Sequence, residues 1–389
     1  MIPIKYNLRN LAVRKTTTLA AGLGLGLVVF VLASALMLAE SVERTLGRSA
    51  ADDVAVVLRK GSDTEMSSGL ADSQVSIIVA NPGVAKGTDG APIASAELVV
   101  VILLDKLGTN GFSNVQVRGV PENVMSLRKG VHIIQGRAAR PGTDEVIVGK
   151  AITGSFKGLA LNQTFELRKN RPVTVVGIFE DGGSSFESEV WADVKTLASS
   201  FGREGYISSV RVKLESRTKL DGFKAAVEQN PQLEALVMSE TEYYEKQSEG
   251  TSIFIKALGI MITVFFSGGA VIGAWITMHA SVANRKREIA TLRALGFSKG
   301  AILFSFLLES VALALFGGIV GAVASLAMRF VKFSTMNFAT WSEITFTFEP
   351  TPAIMGIALF VAVLMGLFGG LFPAVGAARM QLVQALRGG

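Results

Sequence analysis

Cysteine is absent from the 389-residue sequence, and histidine occurs only twice, as His132 and His279. Disulfide bonds, thiolate metal sites and cysteine nucleophiles are therefore excluded, and a histidine-based metal centre is not expected. Charged residues are also scarce, at 18% of the chain, whereas about 25% is usual in a soluble domain. Hydrophobic residues make up 49%, which excludes a chain that is disordered throughout, because so much apolar side chain would not remain in water.

The sequence also lacks the short motifs of nucleotide and hydrolytic chemistry. It has no G-x-x-x-x-G-K-[ST] loop to cradle phosphates, no H-E-x-x-H pair and no G-x-S-x-G turn. We therefore expect a chain that is not an enzyme and that holds no cofactor or metal of its own. The net charge of +6 does not form a basic stripe on a folded region, so we expect no nucleic-acid partner.

Four long apolar runs dominate the rest of the sequence. A helix that crosses a bilayer needs about 20 apolar residues, and each run supplies that length: residues 19–39, 257–278, 301–328 and 353–378. The first run follows a basic segment, as in a secretory signal peptide, but it is longer than the usual apolar core of about 7–15 residues. The runs predict four transmembrane helices, the first of them uncleaved.

Basic residues lie at alternate ends of these runs. They precede the first run, separate the second from the third, and follow the fourth: Lys5, Arg9, Arg14, Lys15, Arg285, Lys286, Arg287, Arg293, Lys299, Arg379 and Arg387. Because cytoplasmic flanks are enriched in Lys and Arg, the pattern predicts that both termini are cytoplasmic and that the large region after the first run lies outside.

That outer region has the pattern of a folded domain. Runs rich in Val and Ile predict strands at residues 54–58, 76–80, 98–104, 114–120, 145–148, 173–179 and 209–214, and helices are predicted at residues 193–201 and 219–228. Gly, Asn and Asp punctuate the intervals as turns. The region therefore reads as an α+β domain, built as two subdomains with an insert at about residues 121–205.

The sequence thus predicts an α-helical membrane protein with four transmembrane helices and an α+β extracytoplasmic domain inserted between the first and second spans. The predicted divisions are a cytoplasmic amphipathic N-terminal segment (1–18), the first span (19–40), the periplasmic α+β domain (41–250), the second span (251–280), a cytoplasmic segment (281–299), the third span (300–328), a short periplasmic loop (329–352), the fourth span (353–378) and a cytoplasmic tail (379–389).

Each predicted span contains two glycines four residues apart. The pairs are Gly22 and Gly26, Gly269 and Gly273, Gly317 and Gly321, and Gly366 and Gly370. This spacing leaves a flat helix face that another backbone can approach closely. For any one pair, the general abundance of glycine in membrane helices is the better explanation, but the recurrence in all four favours a tightly packed helix bundle.

Glu309 is the one acidic residue within the four runs, and it lies about two turns into the third. An ionisable group at such a position is expensive in lipid and is a candidate functional residue. The alternative is that it lies near the cytoplasmic interface, where it is paired with Lys299 or Arg293 or is reached by water. Because no other run contributes a carboxylate, we do not expect a proton relay.

The segment at residues 284–299 is the most informative. Ile289, Leu292 and either Leu295 or Phe297 recur near helical spacing, with charged residues on the other side. Gly296 is suited to end a helix and Ser298 to begin the next. The pattern predicts a short amphipathic helix on the cytoplasmic face. It is either a membrane-surface helix held by lipid headgroups or a docking helix whose apolar residues fill a groove on a cytoplasmic protein.

Three motifs resemble the MacB/FtsX family of ABC transporter permeases, the mechanotransmission type. They are LRNLAVRK at residues 8–15, REIATLRALG at residues 287–296, and PAVGAAR at residues 373–379 followed by QALR at residues 384–387. The four-span layout matches as well. The resemblance implies that an ATPase-coupling segment is formed by Arg285, Lys286, Arg287, Glu288, Ile289, Leu292, Arg293, Leu295 and Gly296.

The resemblance also implies a function and partners. The chain would be the permease subunit of an ABC transporter in the bacterial inner membrane, driving export or extraction of a substrate. It would work with a second permease copy, a cytoplasmic ABC ATPase that binds ATP and Mg, and, in an exporter, a periplasmic adaptor and outer-membrane channel. MacB carries a fused ATPase domain, whereas we expect a separate ATPase here. The alternative is an FtsX-like signal transducer that activates a periplasmic partner without transport.

Overall fold

A computed structural model describes residues 15–337 and 339–380 of the chain. Within this part the α-helices are α1 (Lys15–Gly47), α2 (Asp72–Val79), α3 (Val124–Leu127), α4 (Val194–Phe201), α5 (Leu220–Glu228), α6 (Glu240–Asn284), α7 (Lys286–Ala294), α8 (Lys299–Leu326) and α9 (Pro352–Arg379). Short 3-10 turns lie at Ser185–Ser188, Arg217–Lys219 and Ala327–Phe330.

The strands alternate with these helices. They are β1 (Val54–Arg59), β2 (Leu70–Ala71), β3 (Ala94–Asp105), β4 (Phe112–Val120), β5 (His132–Gly136), β6 (Glu145–Gly149), β7 (Thr164–Arg168), β8 (Arg171–Glu180), β9 (Glu189–Asp193), β10 (Tyr206–Ile207), β11 (Ser209–Lys213), β12 (Ala235–Ser239), β13 (Lys332–Met336) and β14 (Glu343–Thr347).

The prediction of four membrane-crossing helices is confirmed. Among the described residues, four helical stretches are long and apolar enough to cross a bilayer: Thr18–Gly47, Glu240–Asn284, Lys299–Phe330 and Pro352–Arg379. The large insertion between the first two mixes strands and helices, as the α+β prediction requires. The helix that contains the second span begins at Glu240, because the polar residues before the apolar run favour helix as well.

The chain divides into two compact units. The first, called here the helical unit, consists of residues 15–41, 253–332 and 347–380 of the described chain. Its core is formed by small and branched apolar side chains from α1, α6, α8 and α9, among them Val29, Ala274, Ala314 and Ala362. Small residues at these positions let the helix backbones lie close together.

The second, called here the sheet unit, consists of residues 42–252 and 333–346, of which 338 is not described. Its main sheet has the strand order β12-β1-β11-β3-β4-β9-β6-β8-β5, and β7 also pairs with β8. The β4–β9 and β6–β8 pairs are parallel, and the other neighbours are antiparallel. The separate β13–β14 hairpin falls within the stretch predicted as a short loop.

Two hydrophobic clusters lie against this sheet. One joins β3, β4, β6, β8 and β9 to α4, and the other joins β1, β11 and β12 to α2 and α5. Because the sheet runs continuously from the strands before residue 121 to those after it, the division into two subdomains stays a prediction.

Most predicted elements of the sheet unit are confirmed, and one is wrong. Residues 76–80 were expected to form a strand, but residues 72–79 form helix α2. The Gln74 side chain accepts a hydrogen bond from the Ala71 backbone N–H at 2.9 Å, which satisfies a free donor at the helix start. Ile78 is buried in the cluster beneath. Tertiary packing and capping therefore override the β-branched composition.

Candidate functional site

The segment at residues 284–299 forms helix α7, held between two well-defined ends. Arg285 leaves the helical conformation between α6 and α7, with φ −112° and ψ 18°. At the other end Gly296 adopts φ +92°, and the N–H groups of Gly296 and Phe297 donate to the carbonyls of Arg293 and Leu292. This is the hydrogen-bond pattern of a Schellman cap, for which glycine is favoured. The predicted helix end at Gly296 is confirmed.

The next helix begins two residues later. The Ser298 side chain accepts a hydrogen bond from the backbone N–H of Ala301 at 3.2 Å, as expected of an N-cap serine. The turn between α7 and α8 is therefore short and specified by local sequence.

The inner face of α7 packs within the helical unit. Ile289 is only 2% exposed and belongs to a cluster with Met278, Val282, Ile302, Phe306, Ala374 and Ala377. Leu292 packs against the same cluster. The predicted insertion of Ile289 into a groove on a partner does not fit this arrangement, because the chain's own core already holds that side chain.

The outer face of α7 is exposed and basic. Leu295 is 71% exposed, and Lys286, Arg287, Glu288, Ala294 and Gly296 are also exposed. Of the three apolar residues expected to anchor a partner, Leu295 is thus the one presented outward. The helix combines a face fixed to the membrane helices with a face that carries cations around a single large apolar side chain.

Glu309 is buried, and its partner differs from both predicted ones. The residue is 3% exposed, and Arg285 Nη1 donates to Glu309 Oε2 at 2.9 Å. The expected pairing with Lys299 or Arg293 is therefore wrong for the contacts seen here. Instead, Arg293 Nη1 donates to the carbonyl of Ala378 near the end of α9, at 3.2 Å.

The paired glycines differ in what they contact. On α1 and α8, Gly22 and Gly26 face Gly317 and Gly321: a Cβ at Gly26 would lie 2.7 Å from the Gly317 carbonyl oxygen, and one at Gly317 or Gly321 would collide with the α1 backbone. These two helices are therefore in contact along their backbones.

The remaining two glycine pairs, on α9 and on α6, differ from each other in their surroundings. A Cβ at Gly366 would lie 2.7 Å from Ala314 Cβ, and one at Gly370 would meet Ser310, so this pair also packs against α8. For Gly269 and Gly273, both on α6, a Cβ would meet no side chain and no other helix within 4 Å among residues 15–337 and 339–380.

A buried charge cluster in the sheet unit was missed from the sequence. It comprises Glu65, Glu97, Arg118, Arg128, Glu189, Arg211 and Glu240, whose side chains are at most 6% exposed. Arg118 makes a bidentate pair with Glu189, at 2.7 Å for both hydrogen bonds. It also contacts Glu65 and Glu97, at 3.0 and 2.9 Å.

Arg211 extends the cluster toward α6. Its Nη1 lies 2.6 Å from Glu65 and 2.7 Å from Glu97, while its Nε donates to Glu240 at 3.0 Å. Glu240 is the first residue of α6 and also accepts from the backbone N–H of Ala51, just after α1. The cluster thus ties four central strands to the beginning of α6 and to the chain that follows α1.

The charge state of the cluster follows from these contacts. Burial raises the pKa of Glu65, but Arg118 and Arg211 outweigh that effect and hold it well below its usual value. The pKa of Glu97 is lowered in the same way, with burial opposed chiefly by Arg211. Glu65 and Glu97 therefore remain ionised in the interior of the sheet unit, where removal of a cationic partner would be costly.

Metal ligation is not indicated by the geometry, since no group of three or more acidic or histidine side chains in residues 15–337 and 339–380 could hold an ion. Two parts of the sequence pattern lie outside the described residues. These are the basic segment at residues 8–14 and the tail at residues 381–389, which includes QALR.

Two protein families match the chain. Residues 16–230, more than half of it, match the family described as the MacB-like periplasmic core domain, and residues 260–382 match the FtsX-like permease C-terminal family. The two matches together cover most of the sheet unit and most of the helical unit.

Individual proteins that are similar to the chain are named as ABC transporter permeases or export proteins. The macrolide export ATP-binding/permease protein MacB of Chlorobium luteolum is 33% identical over 193 residues, which is 47% of this chain and 27% of that protein. An uncharacterised ABC transporter permease of Bacillus subtilis, YknZ, is 29% identical over 232 residues, or 56% and 54% of the two chains. The chain thus spans about half or less of the length of these relatives.

Solved structures give weaker similarities. The periplasmic region of MacB from Actinobacillus actinomycetemcomitans aligns with a TM-score of 0.39 and 14% identity, over 51% of this chain and 94% of that one. The extracellular domain of YknZ aligns with a TM-score of 0.36 and 18% identity, over 48% and 100%.

Proposed function

Since the chain belongs to the family of ABC transporter permeases that combine a MacB-like periplasmic core domain with an FtsX-like C-terminal region, we propose that it is the permease subunit of such a transporter. A separate cytoplasmic ABC ATPase hydrolyses ATP with Mg, and the permease converts that hydrolysis into movement of the sheet unit. The movement drives export of a substrate, or its extraction, across or from the cell envelope.

The observation that carries this proposal is the two-faced construction of α7. Its inner face is fixed in the core of the helical unit through Ile289. Its outer face presents Leu295 with Lys286 and Arg287. A helix held only by lipid headgroups would not need to bury an apolar residue such as Ile289 in the protein's own core. A docking helix needs both faces, one to receive a force and one to pass it on.

The same proposal includes the location of the chain and its partners. The chain lies in the bacterial inner membrane with both termini in the cytoplasm, as the basic flanks favour. A second permease copy completes the membrane part, and an adaptor and outer-membrane channel serve an exporter. The relatives named macrolide export proteins support export as the direction of transport.

Affinity purification of the tagged permease tests the proposal. The parent chain should retain an ABC ATPase and stimulate its ATP hydrolysis. Leu295→Ala should lose most of the ATPase, because truncating a central interface anchor costs about 2 kcal/mol, roughly 30-fold in affinity. Leu107→Ala is the matched control, since Leu107 is similarly exposed but lies in the turn after β3; it should retain the ATPase.

Two results would count against the proposal. If the parent chain retains no ABC ATPase, the transporter assignment fails. If Leu295→Ala and Leu107→Ala retain equal amounts, the outer face of α7 is not the docking surface. Retention of a cell-wall hydrolase in place of an adaptor would favour the signalling alternative.

A further inference from the structure

Arg285 occupies the break between α6 and α7 and contacts three helices. As the last residue before α7, it is connected directly to the end of α6 at Asn284. Its Nε donates to Glu288 on α7 at 3.0 Å, and its Nη1 donates to Glu309 on α8 at 2.9 Å. One guanidinium group therefore links the second membrane helix, α7 and the third membrane helix.

The surroundings hold this arginine in one orientation. Its guanidinium lies over the ring of Phe306, with Cζ 5.0 Å from the ring centroid. The Ser281 hydroxyl, one turn earlier on α6, donates to the other carboxylate oxygen of Glu309 at 3.4 Å. Both Arg285 and Glu309 are buried, so pulling these two opposite charges apart would be costly in an apolar interior.

A break between helices is a natural hinge, because the backbone there lacks the regular hydrogen bonds of a helix. If α7 could swing at Arg285, a force on its outer face would be absorbed at the break and would not reach α6 or α8. The apolar contacts of Ile289 resist separation of α7 from the core, but they are non-directional. A charged pair between fixed donors and acceptors also specifies direction.

We infer that the Arg285–Glu309 ion pair is the positioning element that makes α6, α7 and α8 move as one body. In the parent chain a displacement of α7 is passed to both membrane helices. Without the pair, α7 still offers Leu295 to a partner but pivots at residue 285. The consequence for ATP-driven movement rests on the proposed function; the rigidity itself does not.

The rigidity can be measured on the permease alone. Spin labels at Thr291→Cys and Val323→Cys report the distance between α7 and the far end of α8, and the chain has no native cysteine to interfere. The parent should give a narrow distance distribution. Glu309→Gln and Arg285→Met should each broaden it. Glu180→Gln, which breaks an exposed ion pair with Lys150 in the sheet unit, is the matched control and should leave it unchanged.

A double variant separates positioning from mere stability. Arg285→Met with Glu309→Leu removes both buried charges, a change that is often tolerated by folded proteins. This variant should unfold at a temperature near that of the parent, yet keep the broad distribution. In complex with the co-purified ATPase it should bind normally but stimulate ATP hydrolysis about tenfold less.

The possible outcomes distinguish failure of the inference about the ion pair from failure of the proposed transporter function. A narrow distribution in the double variant, or parental ATPase stimulation by it, overturns the inference and leaves the proposed function standing. If the parent binds no ATPase, the proposed function fails, while the distance measurement still decides whether the pair fixes the three helices.

Discussion

Replacing Gly26 with alanine should push α1 and α8 apart, whereas the same replacement at Gly24 should not. The two glycines lie on the same helix, two residues apart. A Cβ at Gly26 would lie 2.7 Å from the carbonyl oxygen of Gly317, which is backbone and cannot rotate away. A Cβ at Gly24 would meet no atom of another helix within 4 Å in the part of the chain that the structure describes.

The size of the effect follows from two opposing terms. Alanine is a better helix former than glycine by about 1 kcal/mol, and this gain applies equally to both positions. At Gly26 the two backbones must also separate by about half an ångström to restore a normal contact, and overpacking of this kind costs about 1–3 kcal/mol. The difference between the two variants therefore isolates the packing term, because the helix-propensity term cancels.

Thermal unfolding in lipid nanodiscs, followed by circular dichroism, measures that difference. Gly24→Ala should unfold at or above the parental temperature, and Gly26→Ala should unfold below Gly24→Ala. Equal unfolding temperatures for the two variants would refute the close approach of α1 to α8. A further check is Gly317→Ala on the other helix, whose Cβ would meet the backbone of Gly22 on α1, so this variant should resemble Gly26→Ala.

Three other predictions concern the buried charge cluster and the topology. Arg211→Met should destabilise the sheet unit by about 3–5 kcal/mol, because it removes a buried cation that contacts Glu65, Glu97 and Glu240. Arg137→Met, at an exposed pair, should destabilise it far less; urea unfolding monitored by tryptophan fluorescence compares the two variants. The lowered pKa of Glu65 adds stability that is fully present above pH 4.5, its ordinary pKa, and that is lost as the pH falls toward the lowered value. Acid unfolding of Arg211→Met should therefore begin at a higher pH than acid unfolding of the parent, and coincident unfolding curves would contradict this. The topology can be tested by labelling, since the chain has no native cysteine: Gly111→Cys should react with an impermeant maleimide in intact spheroplasts and Ser298→Cys should not, whereas the reverse pattern would overturn the predicted orientation.

Apolar length and local caps made much of this fold predictable. The four membrane helices follow from run length alone, and the end of α7 follows from Gly296. Helix α2 did not follow, because its Val and Ile residues favour a strand locally and only the packing of Ile78 and the Gln74 cap decide otherwise.

The contacts of charged residues were less predictable, because they depend on distant parts of the chain. Arg118 and Glu65 are separated by 53 residues, and Arg211 and Glu65 by 146. A usable signal was present: Arg211 interrupts a Val-rich strand that is otherwise buried on both faces. For Glu309, sequence distance favours Lys299 or Arg293 as the partner, whereas the break between α6 and α7 brings Arg285 to it.

The strand order of the sheet unit has a consequence for biosynthesis. Strand β1 lies between β11 and β12, so both of its neighbours are made more than a hundred residues later. Because translation proceeds at about 5–20 residues per second, β1 remains without its partner strands for on the order of ten seconds after it is synthesised. Residues 54–58 are apolar and become fully buried, so during that interval they form an unpaired strand of the kind that aggregates. In a fragment that ends before residue 209, β1 would stay unpaired, because both partner strands are missing. The soluble yield of that fragment should be far below that of a fragment that ends after Ser239.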